Sequence, residues 1–393
     1  MATTTASAPG KVPVWALSLG PLALIAALVA LFVVLDPIGS LRAIPPVEAI
    51  SFERVVLHPG EIELHVRNDG ADRVRVAQVL VDDAYWAFEA TDDDLGRLES
   101  ATITLDYPWD EGVPLNISLV SSTGATFGHE IEVAAETPEA DAKVFTIYGL
   151  LGLYIGVIPI AVGLLWYPAL RRASRRSLGF LLAFTVGLLA FLLVDTVAEG
   201  FELAAEVPAA LNGLALFVTG ALAAVLGLLA LEGALSRRKE GLARAGLALA
   251  YLVAAGIGLH NLGEGLAVGA ALAGGEVALG TFLVLGFALH NTTEGLAIVA
   301  PLGGEATRPR LVHLVALGAV AGIPTIFGAW AGGFAFSPTF ASLAFGVAAG
   351  AIAQVLWTIG RNMPKGAGLS TGVGALGVLA GLVVMYVTGL FTA

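Results

Sequence analysis

His260-Asn261-Leu262-Gly263-Glu264-Gly265 and His290-Asn291-Thr292-Thr293-Glu294-Gly295 repeat one pattern, HNxxEG, thirty residues apart within strongly apolar sequence. A carboxylate placed in hydrocarbon costs several kcal/mol unless something binds it, so a membrane helix that keeps one keeps it for a pathway or a ligand. On an α-helix, His260 and Glu264 stack on one face, and Asn261, three residues before Glu264, joins them. His290, Asn291 and Glu294 repeat the arrangement. Two such faces turned toward each other would surround a divalent cation with nitrogen and oxygen donors. The histidines must be neutral and the carboxylates ionised to ligate, so binding competes with protons and is lost in acid. Imidazole, amide oxygen and carboxylate together suit Zn²⁺ first, and also Fe²⁺, Mn²⁺, Co²⁺, Ni²⁺ or Cd²⁺. A metal-free polar link between helices accounts for one such pair, but poorly for two hexads of one pattern on consecutive helices.

The surrounding composition agrees. Hydrophobic residues make up 57% of the 393-residue chain and charged residues 13%, and the mean hydropathy is +0.84, which excludes a soluble globular protein. With no cysteine, thiolate metal sites and disulfides are excluded. The net charge of −12 is unevenly placed: Glu48 to Asp141 holds 21 Asp and Glu against five Arg, a balance of −16, leaving +4 elsewhere. Basic residues sit in short clusters between apolar spans, so no nucleic-acid surface is present.

Three regions follow. Residues 1–45 comprise a cytoplasmic N-terminus and an apolar run near Val12 to Leu35, preceded by Lys11. Its length reads as an anchor helix rather than a cleaved signal, although Pro37 and the small residues after it would suit cleavage. Residues 46–142 alternate apolar and polar positions, as in Ile62-Glu63-Leu64-His65-Val66, Val74 to Leu80 and Ala101 to Leu105. Turn signals at Pro59-Gly60, Asn68-Asp69-Gly70, Asp82-Asp83 and Ser122-Thr123-Gly124 divide this region into about seven strands. They predict an antiparallel β-sandwich, immunoglobulin-like or cupredoxin-like, with Trp86 and Trp109 in its core or rim.

Residues 143–393 hold eight apolar spans, roughly 144–166, 176–205, 209–233, 243–273, 278–301, 310–335, 339–362 and 369–391, nine with the anchor. Arg171, Arg172, Arg175 and Arg176, then Arg237, Arg238, Lys239 and Arg244, then Arg308 and Arg310, then Arg361 and Lys365 fall in every second loop, which places those loops in the cytoplasm. The alternate loops, with Glu199, Glu202 and Glu206, or Glu276, or Ser337-Pro338, lie outside with the acidic β-domain and the C-terminus. The expected molecule is thus a multi-pass cell-membrane protein with the lipid bilayer as one partner. Glycines such as Gly265 and Gly269 let helix backbones approach closely where lipid supplies no hydrophobic drive.

The paired hexads and the eight-span region resemble the ZIP family of divalent metal transporters, in its prokaryotic branch, whose fourth and fifth helices carry HNxxEG-type signatures. The resemblance implies an eight-helix bundle in which helices one to three and six to eight are inverted repeats flanking helices four and five. It implies metal-ligand roles for His260, Asn261, Glu264, His290, Asn291 and Glu294, a homodimer, and inward metal movement, in several models by sliding a transport unit past a scaffold. Three departures stand out. Family signatures commonly read HNxPEG, where Gly263 and Thr293 stand here; glycine still permits a bend, and the threonine predicts a straighter helix or back-bonding to its own carbonyls. Ile323 precedes Pro324 where many members have a glutamate, and Thr358 and Ile359 precede Pro364 where acidic or histidine residues are common. Both losses favour one metal over two.

Asp195, Glu199 and Glu202 share a face of the second span and form a possible cation pathway; for Glu199 and Glu202 an interfacial position without a specific role is the simpler reading. Gln354 reads as a packing contact and His313 as an interfacial histidine. His58, His65 and His129 show no ligand spacing, Asp92-Asp93-Asp94 reads as an exposed loop, and the sequon Asn116-Ile117-Ser118 sits inside a strand. The sequence supports a non-enzymatic carrier first. A membrane metal sensor without flux is the alternative, and an intramembrane metallohydrolase ranks last, because there is no HExxH and both glutamates serve as ligands.

Overall fold

The computed structural model describes residues 14–35, 47–131, 133–139, 141–237, 245–273, 277–305, 308–362 and 371–390. Lys11, Pro37, Arg238, Lys239, Arg244, Glu276, Pro364 and Lys365, which entered the sequence reading, lie outside the described residues. The chain falls into two compact units, Met1–Val47 and Glu48–Ala393. The first contains the helix α1 (Val14–Leu35), whose described apolar stretch, Ala23–Phe32, is shorter than a membrane span. The second holds both the strands and the spans.

In that second unit, nine strands form two antiparallel sheets. One is ordered β1 (Ile50–His58), β2 (Glu61–Asn68), β7 (Ser100–Leu105), β5 (Glu89–Ala90). The other is ordered β4 (Ala84–Trp86), β3 (Val74–Val81), β8 (Leu115–Ser121), β9 (Thr126–Ile131), with β6 (Asp94–Leu95) also pairing to β3. Alternate residues face a common apolar core: Ile62, Leu64 and Val66 from β2, Ala101, Ile103 and Leu105 from β7, and Leu115, Ile117 and Leu119 from β8. In β3 the buried set changes parity, from Val74 and Val76 to Val79 and Val81, because a bulge between Val76 and Gln78 inserts one residue. Asp82 and Asp83 both take positive φ, 48° and 65°, and close the tight β3–β4 hairpin. Six of these strands are six residues or longer, and β4, β5 and β6, of two or three residues, are too short to leave a period in the sequence. Trp109 packs on the core and donates to the His58 carbonyl, and Trp86, at the rim, donates to that of Asp106.

The remaining helices supply eight spans long and apolar enough to cross a membrane, at Ala142–Leu170, Arg175–Glu206, Ala209–Gly233, Gly246–Ala273, Leu279–Leu302, Leu311–Ala335, Pro338–Arg361 and Gly372–Gly389. Among the described residues these match the eight expected spans, and they suggest a multi-pass membrane protein. The first span is not one regular helix. It runs through α2 (Ala142–Gly152), a π-helical turn at Leu153–Val157, α3 (Ile158–Leu164) and α4 (Tyr167–Leu170). The other seven are α5 (Arg175–Glu206), α6 (Gly213–Arg237), α7 (Ala245–Ala273), α8 (Val277–Val299), α9 (Leu311–Ala335), α10 (Pro338–Asn362) and α11 (Gly372–Gly389).

Small residues hold the bundle together. A Cβ on Gly265 or Gly269 of α7 would fall 2.1 Å and 2.3 Å from the carbonyl oxygens of Thr325 and Ala329 on α9. Reciprocally, one on Gly328 or Gly332 of α9 would fall 2.1 Å from those of Leu262 and Leu266. The two backbones therefore touch along two turns, which fixes the face of α7 that carries the first hexad. Gly163 of α3 and Gly295 of α8 meet in the same way and set the second.

The β-domain sits over one end of the bundle. Arg54 on β1 donates to the carbonyl of Phe334 at the end of α9 at 3.0 Å. The Asp69 carboxylate accepts from the backbone N–H groups of Ala209 and Ala210, which follow α5, at 2.6 Å and 2.9 Å. His129 of β9 stacks on Phe52 with ring centroids 5.0 Å apart, and burial holds its pKa below the ordinary value of 6.5.

Two outcomes are expected. Gly265→Ala sets a methyl group against the Thr325 carbonyl and lowers the thermal stability of the detergent-solubilised protein by about 1–3 kcal/mol, whereas Gly227→Ala on α6, with nothing within 4 Å, leaves it unchanged. Because His129 binds its proton less readily folded than unfolded, the stability it lends above about pH 6.5 declines as pH falls below that value. An NMR titration gives a midpoint under 6.5, and His129→Phe removes this part of the acid sensitivity.

Candidate metal centre

The two hexads meet in the middle of the bundle. His260, Asn261 and Glu264 on α7 and His290, Asn291 and Glu294 on α8 are all buried, none more than 5% exposed. One ligand atom each from His260, His290 and Glu294 can be chosen so that all lie within 4.8 Å of one another. The imidazole centroids are 6.4 Å apart. This is a possible buried metal site of two nitrogens and a carboxylate.

Glu264 occupies a different place from its counterpart. Its Oε1 lies 3.2 Å from His260 Nε2 and makes a short contact with His290 Nε2, while its Oε2 accepts from Asn291 Nδ2 at 2.7 Å. The first carboxylate thus bridges the two imidazoles, whereas neither oxygen of Glu294 accepts a hydrogen bond of ordinary geometry, although the Asn261 amide lies close by. The sequence predicts two equivalent faces; the structure makes them unequal.

Two proline-perturbed helices orient the asparagines. Pro159 has no N–H to give to the Ile155 carbonyl, which lies in the π-helical turn, and Asn291 Nδ2 donates to that carbonyl at 3.1 Å. Asn261 Nδ2 donates at 3.0 Å to Ala321 O, three residues before Pro324 of α9. Turning the Asn291 amide over would oppose two acceptors, Ile155 O and Glu264 Oε2, and turning Asn261 would oppose Ala321 O, so each nitrogen points to the neighbouring helix. The oxygens Asn261 Oδ1 and Asn291 Oδ1 are then buried without a donor, as are both oxygens of Glu294. Among the described residues these are four of the seven buried side-chain polar atoms with no partner. Lone pairs gathered in this way, with hydrogen-bond donors already committed elsewhere, are what a cation satisfies.

Thr196 of α5 was not marked by the sequence, beyond standing next to Asp195. It is fully buried, and its Oγ1 lies 3.0 Å from His260 Nδ1. The other departures behave as their chemistry requires. Thr293 Oγ1 donates back to the His290 carbonyl at 2.7 Å, as expected of a threonine in place of proline, and Phe345 of α10 packs over Gly263. Ile323 is exposed on the outside of α9, so that position does not contribute to the centre.

Asp195, Glu199 and Glu202, the residues of the expected cation pathway, line a cavity of about 1,120 Å³ between the helices and the β-domain, together with Glu206. Its β-domain wall includes Glu53, Arg54, His129 and Glu130, and its helical wall reaches Leu266 and Ala267, the turn after Glu264. His129 is the one histidine of the β-domain on this wall; His65 pairs instead with Thr102 and Glu63. At the bundle's other end His313 pairs with Tyr251 at 3.0 Å, and Gln354 with Glu232 and Thr358, which are packing contacts.

Compared with known proteins, the chain matches no family model and no curated sequence.

The asparagine geometry has a direct test. Asn291→Asp sets a carboxylate oxygen against both the Ile155 carbonyl and Glu264 Oε2, so it lowers thermal stability by about 1–3 kcal/mol, measured by unfolding of the purified protein at neutral pH.

Proposed function

We propose that this protein is a ZIP-like carrier that takes a divalent transition-metal cation from the side of the β-domain and releases it on the side of the basic loops. The observation that carries this reading is the convergence of His260, His290 and Glu294 within 4.8 Å, with Glu264 in contact with both imidazoles. Glu264 and Glu294 neutralise the ion's charge within the bilayer. His260 and His290 select against Mg²⁺ and Ca²⁺, which prefer shells made entirely of oxygen. The oxygens of Asn261 and Asn291 complete the coordination. Zn²⁺ is the first expectation, and Fe²⁺, Mn²⁺, Co²⁺, Ni²⁺ and Cd²⁺ share its donor chemistry.

The acid-lined cavity supports a direction. Asp195, Glu199, Glu202 and Glu206 raise the local concentration of cations beside the turn after Glu264, with the neighbouring β-domain walling the entrance. Arg171, Arg172, Arg175, Arg176, Arg308, Arg310 and Arg361 at the other end of the spans support a cytoplasmic position for that end, and with it an extracytoplasmic β-domain and net inward movement. Alternating access through one bound ion, as in the resembling family, uses no covalent chemistry, and the protein is a transporter rather than an enzyme. A homodimer is the expected assembly.

Flux of Zn²⁺, Fe²⁺, Mn²⁺ and Cd²⁺ into proteoliposomes tests the reading. Glu264→Gln combined with Glu294→Gln abolishes uptake while the protein still folds and elutes as wild type. Unchanged uptake in that variant removes the proposal, and tight binding without flux in the wild-type protein turns it toward a metal sensor.

A further inference from the structure

The ligand role of His260 makes a demand that the hexads do not meet. A neutral imidazole that binds a metal through Nε2 carries its hydrogen on Nδ1, and in a buried site that N–H needs an acceptor. Within α7 the neighbours of His260 are apolar or already engaged: Asn261 points to α9, and Glu264 faces Nε2. The acceptor comes from another helix. Thr196 Oγ1 of α5 lies 2.7 Å from the Leu192 carbonyl, which can only accept, and 3.0 Å from His260 Nδ1. A hydroxyl has one hydrogen, and the shorter contact takes it, so Oγ1 turns a lone pair toward Nδ1. Thr196 is fully buried, and water does not compete for either bond.

We propose that Thr196 is a positioning residue for the metal centre: by accepting from Nδ1–H it holds the His260 ring with its Nε2 lone pair turned to the ion. This rests on the reading of His260 as a metal ligand. The contact also joins the centre to the cavity wall, because Asp195 and Glu199 on the same helix line that cavity and flank Thr196 in sequence.

The test uses the full-length protein in detergent with Zn²⁺ as the only added ion, and compares wild type, Thr196→Val and Thr196→Ser. Valine keeps the shape and removes the acceptor; serine keeps the hydroxyl. Zn²⁺ affinity falls about 10- to 100-fold in T196V and stays near wild type in T196S. In ¹⁵N-histidine-labelled, Zn²⁺-loaded protein, the His260 Nδ1–H resonance is sharp and slow to exchange in wild type and T196S and is lost to exchange in T196V. Wild-type affinity in T196V, or the same protected resonance there, overturns the proposal. If T196V does not fold, the wild-type spectrum decides alone, since metal on Nδ1, or a rapidly exchanging Nδ1–H, is equally fatal. A wild-type protein that binds no Zn²⁺ sinks the metal reading and this inference together, whereas normal binding unaffected by valine sinks only the role of Thr196.

Discussion

Lone pairs facing one another in the middle of a membrane bundle set the terms for the rest of this protein. Two carboxylates, two imidazoles and two amide oxygens are gathered where water is excluded. Three of the four amide hydrogens go to Ile155, Ala321 and Glu264, and the Glu294 oxygens accept no hydrogen bond of ordinary geometry. Such an arrangement costs free energy in proportion to its burial unless positive charge enters it. A cation supplies that charge, and protons compete with it for the same nitrogens and oxygens.

Bringing those groups together requires backbones to approach more closely than ordinary side chains allow. The paired glycines of α7 and α9, and Gly163 against Gly295, provide the approach, in a setting where lipid gives helices no hydrophobic reason to associate. The same proximity brings the Ile155 carbonyl, which Pro159 cannot donate to, and the Ala321 carbonyl of α9 within reach of the asparagines. A proline in a helix is usually a defect to be tolerated; here the carbonyls near Pro159 and Pro324 become the fixed points against which the ligand amides are aimed.

The two hexads share their histidine, asparagine, glutamate and final glycine and differ in use. Glu264 lies between both histidines, and Glu294 stands apart with its oxygens unpaired. The asymmetry follows from surroundings: α7 is clasped along its length by α9 and touched by α5 and α10, while α8 leans on the first span. Above them, Asp195, Glu199, Glu202 and Glu206 of α5 and Glu53 and Glu130 of the β-domain line one cavity.

Much of this was legible in the chain. Helix spans announce themselves because hydrocarbon forces every backbone group to pair within its own segment, so length and hydropathy alone locate them; the eight spans fell within a few residues of their expected limits. The alternation of β2, β3 and β7 was equally plain, since half-buried strands carry a period of two. The spacing of the hexads picked out His260, His290 and Glu294, which the fold brings together as a possible metal site. Three things came only from the tertiary structure. Thr196 is one of many threonines in apolar sequence, and only the packing of α5 against α7 brings its hydroxyl to His260. The unequal roles of Glu264 and Glu294 depend on which neighbour each helix meets. The β-domain's union with the bundle rests on Arg54 and Asp69 finding backbone groups about 280 and 140 residues away. Sequence periodicity reports what a segment buries; it carries no record of which distant segment does the covering, because that is settled by contacts between elements and not within them.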